Sequence, residues 1–224
     1  MHNHVTLGYV TDSALASVSH EDANALTHIN LAFGAIRDGL LDMSQLPHIR
    51  EIDRIRDYND TLKVVLSIGG WGAGGFSPMV RRADARAAFL ESCEKAVREY
   101  ALDGIDIDWE YPCLDWAGIE SDPADKENFT LLMEELRGAL GGQKIVSIAA
   151  GAGRYFLENT QMDKVAKACS YVQIMTYDLR SGFEQEAGHH TNLFTSPGDR
   201  LNGSVQSSVE NFLAAGVPRD KIVI

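Results

Sequence analysis

An α/β protein with a parallel sheet, a (β/α)8 TIM-type barrel incomplete in this chain, is the fold that the sequence predicts. Three observations carry the prediction. Short apolar runs alternate with segments of helical periodicity from end to end, the pattern of βα units. The first run leads into Tyr9-Val10-Thr11-Asp12-Ser13, without the GxGxxG turn that opens a dinucleotide-binding open sheet. Polar and aromatic residues gather at the C-terminal ends of several runs: Tyr9, Phe33, Ser67, Glu110 and Tyr177. TIM barrels build their active sites at that end of the strands.

The elements follow in order. Residues 5–10 form an apolar run that stops at turn and N-cap types, so a helix over 14–26 follows. Residues 28–33 are a short continuous apolar run, as in a strand covered on both faces. A loop with Asp38-Gly39 comes next, then a helical stripe of Ile49, Ile52 and Ile55 within 46–58. Residues 62–68 make the third strand, ended by Gly69-Gly70 and a glycine-rich loop, and Ala88, Cys93, Ala96 and Val97 place a helix over 84–100. The fourth strand is DGIDIDWEYP, residues 103–112. A loop with Pro112 and Pro123 leads to a helix over 126–140, its stripe Phe129, Leu132, Met133, Leu136 and Leu140, closed by Gly141-Gly142.

Residues 144–150 are a fifth strand, 162–168 a short helix and 171–177 a sixth strand. A polar loop runs on to Asn202, a helix over 204–215 closes at Gly216, and 221–224 open a seventh strand. Residues 1–224 thus read as a single catalytic-type barrel domain whose last C-terminal βα units are missing, since a complete barrel takes eight strands and about 250 residues. Open edges at the first and seventh strands predict self-association.

The totals exclude some functions. With Lys+Arg 20 against Asp+Glu 32 the formal charge is −12, which argues against a nucleic-acid partner. A hydrophobic share of 45% and a charged share of 23% are ordinary for a soluble folded domain. No apolar stretch is long enough for a membrane span, and the N-terminus MHNHVTLGYV shows no export signal, so the compartment is not legible. Cys93, Cys113 and Cys169 lack the spacing of a zinc site, and no metal or cofactor is implied.

The acidic strand carries the chemistry. Asp106, Asp108 and Glu110 alternate with Ile105, Ile107 and Trp109, so one face holds three carboxyl groups and the other three large apolar ones. Neighbouring acids stand roughly 6.6 Å apart along the strand. Such a row on an inward face survives only if some members are protonated or tightly hydrogen-bonded, and a carboxyl kept protonated near neutral pH is what a general acid needs.

DGIDIDWEYP matches the DxxDxDxE signature of glycoside hydrolase family 18, and the chain resembles a bacterial chitinase of that family. NLAFG (residues 30–34), SIGGW (67–71) and QIMTYD (173–178) resemble its second-, third- and sixth-strand motifs, in the family's order. The resemblance implies hydrolysis of chitin or chito-oligosaccharides without a protein nucleophile: the substrate's own acetamido carbonyl attacks the anomeric carbon. By resemblance Glu110 protonates the leaving oxygen, Asp108 holds the acetamido N–H, Asp106 shares a proton with Asp108, and Tyr177 holds the acetamido oxygen. Met175 and Asp178 line the same subsite, and Tyr9 and Ser67 are polar partners of Asp106. With Phe33 and Trp71, these four complete the candidate substrate-binding residues, Trp71 as a sugar platform.

The family is often secreted. An endo-N-acetylglucosaminidase acting on glycans or peptidoglycan, and a non-catalytic chitin-binding lectin, are the alternatives. The family's eighth-strand tryptophan has no counterpart among the 224 residues, so little activity is expected of this chain alone.

Trp116 is a weaker platform candidate, and Trp109 reads as packing against helices. Asp103 breaks the parity of the row and suits a strand start. Adjacent His189 and His190 point apart in an extended segment, so they read as loop structure rather than a metal pair. His2 and His4 read as an exposed end.

Overall fold

The computed structural model describes residues 4–224; His2 lies outside them, and His4 is exposed. Seven parallel strands curl into a half-barrel: β1 (Leu7–Thr11), β2 (His28–Arg37), β4 (Lys63–Gly69), β5 (Gly104–Asp108), β6 (Ile145–Gly151), β7 (Tyr171–Met175) and β8 (Ile222–Val223). Their spatial order is their chain order, with every neighbouring pair parallel. Among the described residues β1 and β8 each pair on one side only, so the barrel is incomplete. A short strand, β3 (Leu40–Asp42), pairs antiparallel with the end of β2.

Strand parity divides the sheet into a dry face and a polar face. Ile29, Leu31, Val64, Leu66, Ile105, Ile107, Val146, Ile148, Val172 and Ile174 are buried on the helix side. There they join Phe89, Cys93 and Val97 of α4 (Ala83–Glu99), Leu132 and Leu136 of α5 (Asp125–Leu140) and Val165 of α7 (Met162–Ala168) in one core. Each such side chain contributes roughly 1.5–3 kcal/mol of burial. The alternate positions face inward, and Asn30, Ser67, Asp106, Ser147 and Gln173 among them are polar and buried, beside the apolar Val65 and Ala149.

The structure departs from the sequence reading in four places. The helix expected over 14–26 is two pieces, a 3-10 helix at Asp12–Ser17 and α1 (His20–Ala25). Val18 is extended between them, and Ser19 starts α1 with a capping box to Asp22. The loop around Asp38-Gly39 is a hairpin turn, both residues at positive φ (52° and 77°), which lengthens β2 and creates β3. Two short helices, α3 (Phe76–Val80) and α6 (Arg154–Glu158), fill stretches to which the sequence reading gave no helix. The acidic strand ends at Asp108 rather than Pro112, because β4 pairs no further than Gly69 with Asp108 and β6 no further than Ile148 with Ile107. The remaining helices, α2 (Glu51–Tyr58) and α8 (Val205–Ala214), lie where the apolar stripes place them.

Candidate active site

The acid row sits at the centre of the half-barrel. Asp106 is fully buried, and its register partners are Ser67 on β4 and Ser147 on β6. Both hydroxyls donate to it at 2.7 Å, Ser67 to Oδ2 and Ser147 to Oδ1. Tyr9 Oη, at the end of β1, donates to Oδ2 at 2.9 Å, and Gln173 Nε2, on β7, donates to Oδ1 at 2.8 Å. Asn30 Nδ2 steadies Gln173 through Oε1 at 3.1 Å. Burial pushes the Asp106 carboxyl up from its ordinary value, and the four donors pull it back. Ser67 is fully buried and committed to Asp106, as the partner role implies and unlike a residue exposed to the cleft.

Asp108 is treated differently. Its register partner is Gly69, and its Oδ1 is buried with no hydrogen-bond partner among the described residues. Burial, with the charges of Glu110 and Asp106, pushes it up to about 9, so it carries a proton at neutral pH. No hydrogen bond joins Asp106 to Asp108 among the described residues, since both Asp106 oxygens are taken by other donors. Gly69 is obligatory: its φ is +122°, and a Cβ there would come 2.0 Å from the Asp108 carbonyl oxygen. That same oxygen accepts the Gly70 N–H at 2.8 Å.

Glu110 lies just past the end of β5 and is half-buried. Burial raises its proton affinity and the charge of Asp178 raises it further, while a hydrogen bond from Tyr111 works the other way. Tyr177 and Asp178 follow β7 and are exposed, and Met175 ends that strand. Burial and the nearby Asp108 and Glu110 push the Tyr177 phenol up to about 12, so it remains a hydrogen-bond donor at neutral pH. Phe33 lies 6.2 Å from the Tyr9 ring and under Gly70. It lines a cavity of about 430 Å³ with Thr11, Asp12, Ser13 and Gln45, on the β1 side of the acid row.

Aromatic rings gather around Glu110. Trp71 is 51% exposed, with its ring 6.4 Å from Tyr111 and 5.8 Å from Phe183, which is 81% exposed on the loop after β7. Trp116 meets Tyr111 at 5.7 Å and Tyr155 at 4.8 Å. Trp109 takes no part in this rim: it is buried, stacked on Phe76 at 5.1 Å and edge-on to Phe129 at 5.9 Å. Asp103 is a strand-start residue, accepting the Val64 N–H at 2.8 Å and facing Lys63 at 3.3 Å. Among the described residues no three His, Cys, Asp or Glu side chains are arranged to hold a metal ion.

Sequence reasoning missed Ser147, Gln173, Asn30, Tyr155 and Phe183. The first three carried a usable signal, polar residues at inward parity inside apolar strands.

A curled parallel sheet with a carboxyl row opening at the C-terminal ends of its strands, rimmed by aromatic rings, is the arrangement from which barrel-type glycoside hydrolases build a site. The family model described as Glycosyl hydrolases family 18 matches residues 5–224, and the chain belongs to that family. It is 33% identical over 195 residues to Chitinase A1 of Niallia circulans, covering 79% of this chain and 28% of the relative. Chitotriosidase-1 of Mus musculus is 29% identical over 222 residues, covering 91% and 47%. The chain therefore spans about half, or less, of the length of these curated relatives. Among solved structures, a family 18 N-acetylglucosaminidase from Paenibacillus barengoltzii superposes with a TM-score of 0.97 at 45% identity, over 99% of this chain and 68% of that one. The chitinase domain of the spore coat protein CotE from Clostridium difficile gives 0.90 at 35% identity, over 99% and 64%. Among the described residues no helix is long and apolar enough to cross a membrane.

Proposed function

We infer that the site hydrolyses β-1,4-linked N-acetylglucosamine chains, chitin or chito-oligosaccharides, with retention at the anomeric carbon. The observation that carries this is the division of labour along one strand. Asp106 is saturated with donors, while Asp108 keeps a proton and an unpartnered oxygen beside a half-buried Glu110. Glu110 gives its proton to the glycosidic oxygen as the C–O bond breaks. The acetamido carbonyl oxygen bonds to the anomeric carbon and forms an oxazolinium ring. Asp108 accepts the acetamido N–H at the oxygen that otherwise lacks a partner, and Tyr177 donates to the acetamido oxygen. Water then opens the ring, giving its proton to the Glu110 carboxylate. Trp71 supplies the flat apolar surface on which a pyranose ring stacks.

Chito-oligosaccharide cleavage by the 224-residue chain, with product anomers read by NMR, tests the reading. Glu110→Gln lowers the rate about 10²–10⁴-fold, and the β-anomer forms first. Equal rates, or an α-anomer first, would overturn it; binding without turnover by the unsubstituted chain would fit a lectin and equally the low activity expected of an incomplete barrel. The 45% identity to an N-acetylglucosaminidase favours a second reading, release of single N-acetylglucosamine units, which the same product analysis separates from cleavage within the chain.

A further inference from the structure

The structure separates His189 from His190. The His190 ring turns back onto Asp178. Its Nδ1 lies 3.4 Å from Asp178 Oδ1, and its Nε2 accepts the Asp178 backbone N–H at 3.5 Å. The neighbouring backbone fixes this arrangement. Leu179 N–H donates to the His190 carbonyl at 3.0 Å, and Thr191 Oγ1 donates to the Thr176 carbonyl at 2.6 Å. The far end of the loop is thereby folded onto the end of β7. Asp178 itself has φ +53°, a left-handed conformation that Asp adopts more readily than most residues other than glycine.

The ring geometry selects a tautomer. An imidazole that accepts at Nε2 carries its proton on Nδ1, the nitrogen that faces the Asp178 carboxylate. His190 can therefore orient that carboxylate while neutral. Asp178 is near enough to Glu110, Tyr177 and Tyr155 for its charge to raise the proton affinity of each, although its side chain is 67% exposed.

We propose that His190 is a positioning residue for the reaction, its imidazole holding the Asp178 carboxylate toward Glu110 so that the acid keeps its proton. The inference rests on Glu110 being the proton donor. His190 touches no reacting atom and acts through Asp178. The titratable groups near Glu110 are Asp178 and Tyr177 from the end of β7, Asp108 from β5, the adjacent Tyr111, and Tyr155 from α6; those near Asp178 are His190, Tyr177 and Tyr155.

The test has two readouts on the full chain. Carboxyl ¹³C NMR follows the Glu110 titration without substrate, and kcat and KM for a chito-oligosaccharide are measured against pH. In His190→Ala the Glu110 midpoint and the alkaline limb of the rate profile both move to lower pH. The kcat above neutral pH falls about threefold with little change in KM. Asp178→Asn produces the same move, and the double variant moves no further than Asp178→Asn alone. His190→Gln, which keeps a donor for the carboxylate, restores most of the effect. An unmoved Glu110 midpoint in His190→Ala, or shifts that add in the double variant, would overturn the proposal. Absence of turnover in the unsubstituted chain, the outcome expected of an incomplete barrel, would remove only the kinetic readout, while the NMR titration would still report whether His190 acts on Glu110.

Discussion

Asp106 and Asp108 are two residues apart on the same face of the same strand, and both are buried, yet their surroundings are opposite. At the level of Asp106 the flanking strands present Ser67 and Ser147, and Tyr9 and Gln173 complete four donors. At the level of Asp108 the β4 partner is Gly69, which has no side chain, and β6 no longer pairs. One level is closed by the protein itself. The other leaves a protonated acid with an unsatisfied oxygen, a state that costs stability and is relieved by a ligand bearing the right donor. The contrast separates an anchor from a working group on one short strand.

The largest stability effect follows from the anchor. Asp106→Ala leaves four donors without their acceptor, those of Ser67, Ser147 and Gln173 buried and that of Tyr9 part-buried, and lowers stability by about 3–5 kcal/mol. Ser147→Ala removes one bond and costs about 1 kcal/mol. Urea unfolding of both variants checks the ratio. If Asp106→Ala were no worse than Ser147→Ala, the donors would have other acceptors and the anchor would dissolve.

Asp108 should behave in the reverse sense. Its folded value is about 9, against an ordinary 3.8, so between those two the native state holds a proton that the unfolded chain has released. Stability therefore falls as pH rises through that window, by up to about 1.4 kcal/mol per unit, and the loss is complete above the folded value. Asn is neutral throughout. Asp108→Asn is thus no more stable than the parent below pH ~4, and progressively more stable than it toward pH 9. On the proposed reading the same variant lowers activity, because the amide must turn its oxygen rather than its NH₂ toward the acetamido N–H. Melting temperatures at a series of pH values measure the gap, and a gap that stayed flat with pH would deny Asp108 its proton.

Much of this contrast was legible in the sequence, for physical reasons. Parity alone put Asp106, Asp108 and the following Glu110 on one face, and alternating apolar runs gave all seven parallel strands. What was not legible depended on register or on irregular chain. Ser147 sits in the apolar run IVSIAAG, where a small hydroxyl looks like any strand residue until the pairing of β5 with β6 sets it against Asp106. The hairpin at Asp38-Gly39 carried its usual turn signal, but the short β3 beyond it did not. Phe183 and His190 lie on a loop without periodicity, so nothing in their spacing places them beside Trp71 and Asp178. Asp103 and Trp109, by contrast, hold the structural places that their parity implied.

The smallest effect belongs to the rim and completes the comparison. Trp71 and Phe183 face each other at 5.8 Å and are both well exposed, so neither supports the core. Trp71→Ala removes a stacking surface worth about 0.5–1.5 kcal/mol and raises KM roughly 3–10-fold with a smaller change in kcat. Phe183→Ala, on the irregular loop, raises KM about twofold, since ordering that loop on binding offsets part of what the ring contributes. Both leave the melting temperature within about 1 °C, as surface substitutions do. Steady-state kinetics beside calorimetry distinguish this from an anchor role: a rim residue moves KM and spares stability, and Asp106 moves stability first. A large loss of stability in Trp71→Ala would transfer that residue from the rim to the anchor and leave sugar stacking without its main surface.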